Sequence, residues 1–207
     1  MDETQMTLAM DCWRSDGDFI GWFGSEKLFG CRAYWDGKEF WTRKGKIIPV
    51  PNFWKTKLPA DIHLDGEIFA GRKNFEAAYA ATEHGKFTPA VRFIAFDCPS
   101  VTGNWLERMK TAESVTKGLE FSGIVDSFII ESSMDWIKKM QRIISLGGEG
   151  LIMRNPAVTT YEIGRSLNYL RTVFVDYKMG TDYKMEMQNR WRLEKQPSLR
   201  KKPKKLE

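Results

Sequence analysis

The chain is poor in the residues that build covalent or metal-stapled folds. It has three cysteines in 207 residues, Cys12, Cys31 and Cys98, scattered and odd in number. That excludes a disulfide framework and suits reduced thiols. Histidine is scarcer still, with only His63 and His84, and no CxxC pair occurs, so a structural zinc site is not expected. There is no uninterrupted apolar run of the length a membrane helix needs. The start, Met1-Asp2-Glu3, lacks the basic-then-apolar pattern of a secretory leader, and the expectation is a protein that stays inside the cell. No internal repeat is visible.

Charge is present but unevenly placed. The whole chain carries 32 basic and 27 acidic residues. The stretch Asn189–Glu207 alone holds eight Lys or Arg against two Glu, a net of +6, which leaves residues 1–188 near neutrality. Two domains of description follow: a body over 1–188 and a basic tail over 189–207. Pro197 and Pro203 argue against a continuous helix in the tail. It reads either as a solubilising end or as an electrostatic arm for nucleic-acid phosphates through Arg200, Lys201 and Lys202.

Local patterns predict an α+β domain with antiparallel sheets flanked by helices. Residues 28–35 and 39–43 read as a hairpin around Asp36-Gly37, since that dipeptide suits a tight turn. Further strands are expected over 62–69, 91–96, 124–130, 151–154 and in the region 170–187, with Gly180 in a turn. Helices are expected from Phe75 to about Thr82 with Asn74 as cap and His84-Gly85 as the stop, from Trp105 to Lys117, and from a Ser132 or Ser133 cap to near Leu146.

Lys27 is the residue with the most chemistry around it. In Ser25-Glu26-Lys27-Leu28-Phe29-Gly30-Cys31-Arg32 a lysine precedes a glycine that lets the backbone pass close to a ligand. Such a lysine can serve as a nucleophile when its free amine is favoured. Downstream stand Thr42-Arg43-Lys44-Gly45, then Leu64-Asp65-Gly66-Glu67-Ile68 with Gly71-Arg72 and Phe75, then Arg92-Phe93-Ile94-Ala95-Phe96-Asp97. Gly147-Gly148-Glu149-Gly150-Leu151 and Tyr161-Glu162-Ile163-Gly164-Arg165-Ser166 complete the series. These motifs, in this order over roughly three quarters of the chain, resemble the nucleotidyltransferase domain of ATP-dependent DNA ligases, particularly the small bacterial and phage type.

The resemblance implies a fold and a chemistry. The fold is the ligase-type nucleotidyltransferase domain, here without the C-terminal oligonucleotide-binding (OB) barrel that normally follows. Lys27 would attack the α-phosphate of ATP and carry AMP. AMP would then pass to the 5′-phosphate of a nick in double-stranded DNA, and the 3′-hydroxyl would displace it. Glu26, Arg32, Glu67, Phe96, Arg171 and Lys178 would bind nucleotide, with Glu67 on ribose or metal and Arg32 on ribose or the DNA end. Glu67 and Glu149 would hold Mg²⁺ or Mn²⁺, because carboxylates and phosphate oxygens are hard ligands. Phe96 would stack on adenine, although an aromatic in an apolar strand also suits a core. Arg43 would contact the DNA backbone, as would the tail residues Arg200, Lys201 and Lys202. Trp22, Trp35 and Trp41 are expected in core or hairpin packing.

The resemblance also implies a monomer without a membrane partner, in a bacterial cytoplasm or a phage-infected cell, with another protein supplying the barrel's function. Three departures from the family pattern stand out. Phe29 occupies a position where the family usually has aspartate, and Arg171 and Val173 fall where two late lysines are usual, unless a shifted register brings in Lys178. The third is the short stretch after the last motif. Two other readings share these residues: an RNA-ligase or capping-type nucleotidyltransferase, and a degenerate ligase fold that binds nucleic acid without catalysis.

Overall fold

The structure, a computed structural model, describes residues 6–11 and 19–173. The chain divides into two units, Met1–Val173 and Phe174–Glu207, and all described residues belong to the first. Lys178, Arg200, Lys201, Lys202, Cys12 and the turn expected at Gly180 lie outside them.

In chain order the elements are β1 (Thr7–Asp11), β2 (Phe23–Lys27), β3 (Cys31–Trp35), β4 (Phe40–Thr42), α1 (Asn52–Lys57), β5 (Leu64–Phe69) and α2 (Phe75–His84). Then come β6 (Arg92–Asp97), α3 (Trp105–Thr116), β7 (Ser122–Ile124), β8 (Ser127–Ile129), α4 (Ser133–Ser145), β9 (Gly150–Arg154) and β10 (Gly164–Val173). They form two five-stranded sheets. One has the order β1-β10-β9-β2-β8 and carries Lys27; the other has the order β4-β3-β5-β6-β7.

Most neighbours pair antiparallel, as expected, but β1 runs parallel to β10 and β7 parallel to β6. The second pair is reached through α3, the crossover that a parallel return needs. The single strand expected over 124–130 is two short strands in different sheets. Ile124 still pairs with Ala95, whereas Ser127 already pairs with Ser25. Between them Val125 N donates to Ala95 O and Asp126 turns the chain from one sheet to the other. Strands β1 and β2 and helix α1 carried no local signal strong enough to be expected.

The hairpin forms because Asp36 supplies its own turn. One carboxylate oxygen accepts from the backbone N–H groups of Lys38 at 2.9 Å and Glu39 at 2.7 Å, and the other accepts from Trp41 Nε1 at 2.6 Å. Those bonds favour the ionised form and hold the Asp36 pKa below the usual carboxylate range. Gly37 has φ +92°, and a Cβ there would lie 2.0 Å from Ala60 O. Helix ends follow the expected chemistry at Ser132, whose hydroxyl accepts from Asp135 N, and at Gly85, which takes the left-handed conformation at φ 66°. Asn74 does stand at the N-terminus of α2, but its amide donates back to Ala70 O and makes no cap bond.

The core is lopsided. Against the β4-β3-β5-β6-β7 sheet pack α1, α2 and α3 around a large cluster that includes Trp35, Phe40, Trp54, Phe93, Trp105 and Phe121. Phe40 meets Trp35, Trp54 and Phe93 within about 5–6 Å, in tilted and edge-on contacts that aromatic quadrupoles favour. The other sheet has a small cluster of Ile130, Met153 and Leu170, with Trp22 and Trp136 partly buried against it. No described helix is long and apolar enough to cross a membrane.

Candidate active site between the sheets

Strand alternation decides which residues of the first sheet can meet. Lys27 lies opposite Gly150, Ser25 opposite Ile152, and Phe23 opposite Arg154, so these six share one face. Across β9 the same face continues through Tyr169, Arg171 and Val173. Gly150 makes room for this layout, since a Cβ on it would sit 1.9 Å from Thr172 O. At the end of β2, Lys27 Nζ donates to Glu149 Oε2 at 2.7 Å. Lys27 and Glu149, 122 residues apart in sequence, form one ion pair that is about a fifth exposed on each side.

The second sheet brings Arg32, Asp65, Glu67 and Phe96 together. Arg32 grips buried Asp65 with two nitrogens, Nε at 2.6 Å and Nη2, and Nη2 also donates to Thr7 O at 3.1 Å. Tyr161 donates its hydroxyl to the same carboxylate at 2.6 Å. Arg32 also lies over the Phe96 ring, 4.8 Å from its centroid. Phe96 owes this position to a slip in register: Gly66 pairs with Ala95 but Asp65 pairs with Asp97, so Phe96 has no partner across the ladder. Such bulges re-aim side chains. The ring is half-buried, on the edge of the core rather than inside it.

Glu67 points between the sheets and accepts from Gly30 N at 3.1 Å. Burial pushes its carboxyl up to about 7; Arg32, Lys27 and the Gly30 N–H oppose that rise only in part. The glycine of the lysine motif thus has a structural role that the sequence reading assigned to a ligand. A Cβ on Gly30 would fall 2.2 Å from Ile68 O and 2.9 Å from Glu67 Cγ, so glycine is needed for the approach of β5.

Other expected residues are placed differently. Glu26 faces away from Lys27 along β2, and its carboxylate is held by Arg72 at 2.9 and 2.6 Å. Arg171 does share the face of Lys27, with its Nε on Asp11 Oδ1 at 2.9 Å. Val173 stands opposite Gly150 from the far side and is therefore level with Lys27. Arg43 is exposed in the turn after β4, where Gly45 takes φ +74° and donates to Thr42 O at 3.0 Å. Trp35 is buried with its Nε1 on Pro59 O, Trp41 is bonded into the hairpin, and Trp22 packs edge-on against Phe19. Phe29 is exposed. Among the described residues no three His, Cys, Asp or Glu side chains gather as a ready-made metal cage.

Three residues near the site had no role assigned from the sequence: Asp65 and Tyr161, which stand inside motifs, and Arg154. Arg154 is buried, lies 4.0 Å over the Trp105 ring, and donates to Ser25 Oγ at 2.8 Å, while its Nε–H has no hydrogen bond. Burial lowers its pKa from the usual arginine value. The signal was an arginine closing the otherwise apolar run Leu151-Ile152-Met153, two residues in phase from Ile152.

No family model matches the chain. A DNA ligase of Haemophilus influenzae is 30% identical over 155 residues, which is 73% of this chain and 57% of that protein. The chain thus spans little more than half the length of that relative. Among solved structures, a minimal-scaffold Lig E DNA ligase superposes with a TM-score of 0.73 at 26% identity, over 82% of this chain and 68% of that one. The Chlorella virus DNA ligase-adenylate gives 0.67 at 18% identity, over 82% and 68%. The ATP-dependent DNA ligase of bacteriophage T7, in complex with ATP, gives 0.60 at 13% identity, over 83% and 69%. These last two likenesses are of fold alone. By sequence over most of its length, and by fold, the chain is thus similar to DNA ligases.

Proposed function

We propose that the chain takes AMP from ATP onto Lys27 and passes it to the 5′-phosphate of a nick in double-stranded DNA. The observation that carries this reading is the Lys27–Glu149 pair, with the Lys27 charge acting on Glu67 and Arg32 lying over the Phe96 ring. As an ammonium paired to Glu149, Lys27 has no lone pair. Attack therefore requires that pair to open and a proton to leave, and Glu149 at 2.7 Å is within reach to take it. The amine nitrogen then bonds to the α-phosphorus, and the bond from that phosphorus to the bridging oxygen breaks to release pyrophosphate.

Each remaining side chain has a fitting task. Glu67 accepts from a ribose hydroxyl. Phe96 stacks on the base with the face that Arg32 leaves open. Arg32, fixed in place by Asp65, presents its cation to ribose or to the DNA end without an ordering cost. Arg171 supplies positive charge toward phosphate, and the exposed Arg43 meets the DNA backbone. The donor set suits Mg²⁺ of the kind held chiefly by substrate phosphates with one or two carboxylates, here Glu149 and Glu67. Such an ion would offset the repulsion between nucleophile and phosphate.

The test is incubation with α-labelled ATP and Mg²⁺, followed by a denaturing gel, with Lys27→Ala alongside. Covalent label on the wild-type chain alone supports the reading. Failure of the wild type to take label, together with failure to seal a pre-adenylated nick, would leave a fold that only binds nucleic acid.

A further inference from the structure

Beside the cleft lies a feature that the reaction above does not use. Phe29, two residues beyond Lys27, is 51% exposed, and its ring is stacked on Phe75 at 4.8 Å between centroids and 22° between planes. Phe75 leads on to Tyr79 at 6.1 Å and 32°, and Tyr79 is 47% exposed. Three rings thus form a short open ladder on the surface, from the loop after β2 to the second turn of α2. Arg72 and Lys73 stand just before Phe75 in the chain, with Glu76 just after it.

We propose that this ladder is a stacking platform for the base of an unpaired nucleotide at a DNA break. An open aromatic ring stacked on a second one is a surface that a flat base can extend, and such stacking tolerates any base because every base has a π-face. A base inside an intact duplex keeps its faces covered by its neighbours, so only a frayed, gapped or flapped nucleotide can use the platform. The adjoining Lys73 favours the phosphate that must accompany the base, while Arg72 beside it is paired with Glu26. The inference rests on the ligase reading for the source of the nucleic acid, and it names the kind of break preferred: one with unpaired nucleotides beside the nick.

The experiment compares the affinity of the full chain for a nicked duplex, the same duplex with a three-nucleotide flap at the break, and that flap made abasic. Anisotropy gives the affinity, and 2-aminopurine in the flap reports stacking by loss of its fluorescence. The flap with bases is expected to bind about 5- to 100-fold more tightly than the abasic flap, the range for one stacked base. Phe29→Ala, Phe29→Leu and Tyr79→Ala should each reduce that ratio, and Phe29→Leu is decisive because it keeps an apolar side chain but removes the π-face. Both Phe29 and Tyr79 are half open, so these variants keep the core intact. Equal affinity for the two flaps, or a preference that survives Phe29→Leu, overturns the platform and leaves protein docking as the use of these rings. Label from ATP is measured on the same preparation. Label without base dependence removes the platform and keeps the ligase reading, whereas base dependence without label does the reverse.

Discussion

The two sheets divide the labour of the domain. The β4-β3-β5-β6-β7 sheet has three helices and the large aromatic cluster behind it, whereas the β1-β10-β9-β2-β8 sheet has one helix, α4, and a small cluster of Ile130, Met153 and Leu170 with a fringe of partly buried side chains. Yet the weaker sheet carries Lys27, Glu149 and Arg171, and the stronger one carries Arg32, Asp65, Glu67 and Phe96. On the proposed reading, the groups that would hold a nucleotide's base and sugar sit on the better-packed wall. Those meant to move a proton and form a bond sit on the other wall. On the proposed reading, the better-packed wall would serve recognition and the more lightly packed one the salt bridge that must open.

The largest effect that tests this division is Lys27→Ala. Covalent label from ATP should vanish entirely while stability changes by about 1 kcal/mol or less, because the pair with Glu149 is partly exposed. A thermal melt run beside the labelling gel checks both halves. A melt that collapses with the label would mean that Lys27 is structural and that the division is false.

Next come the two cores themselves. Phe93→Ala removes a fully buried ring from the large cluster and should cost about 3–5 kcal/mol. Leu170→Ala in the small cluster should cost about 2–3 kcal/mol, since fewer neighbours surround the hole and it can collapse more easily. Chemical denaturation of both variants gives the ordering. Equal costs would mean that the small cluster is as tightly packed as the large one.

How much of this was legible depended on sequence distance. The Asp36-Gly37 turn, the Ser132 cap and the Gly85 stop were readable because each is satisfied within a few residues. The motif residues Lys27, Glu67 and Glu149 were readable by resemblance, and alternation then put Lys27 and Arg171 on one face. What stayed hidden was set by partners far along the chain. Asp65 meets Tyr161 across 96 residues, β1 finds its register only on β10, and the slip that frees Phe96 exists only once β5 and β6 pair. The crossing at Val125-Asp126 was lost because an apolar run with one polar pair looks like a single strand. Glu26 lies inside a motif, yet alternation turns its side chain away from Lys27 and toward Arg72.

Glu67→Gln sharpens the comparison from the side of recognition, with a smaller effect. The Glu67 carboxyl titrates near 7 in the fold against an ordinary 4.5, so the folded chain holds that proton more tightly than the unfolded one. Its stabilising share is complete below about pH 4.5, shrinks as pH rises towards 7, and is gone above. Glutamine keeps an acceptor for Gly30 N and cannot ionise. The variant should therefore gain on the wild type as pH rises from about 5 to about 8, by on the order of 2 kcal/mol. Melting curves across that range decide it. A constant difference would place Glu67 in water rather than between the sheets.

The smallest effect is the control that keeps the others honest. Lys46 and Glu83 form an ion pair at 3.5 Å on the outside of the stronger sheet, with the lysine largely exposed. Holding two long side chains together costs entropy that the Coulomb gain in water barely repays, and salt screens the remainder. Lys46→Ala should shift stability by less than about 0.5 kcal/mol and leave labelling from ATP unchanged. A larger loss that disappears in high salt would mean that surface charge, and not the aromatic cluster alone, makes this sheet the firmer wall. The assignment of rigidity to buried area would then have to be shared with electrostatics.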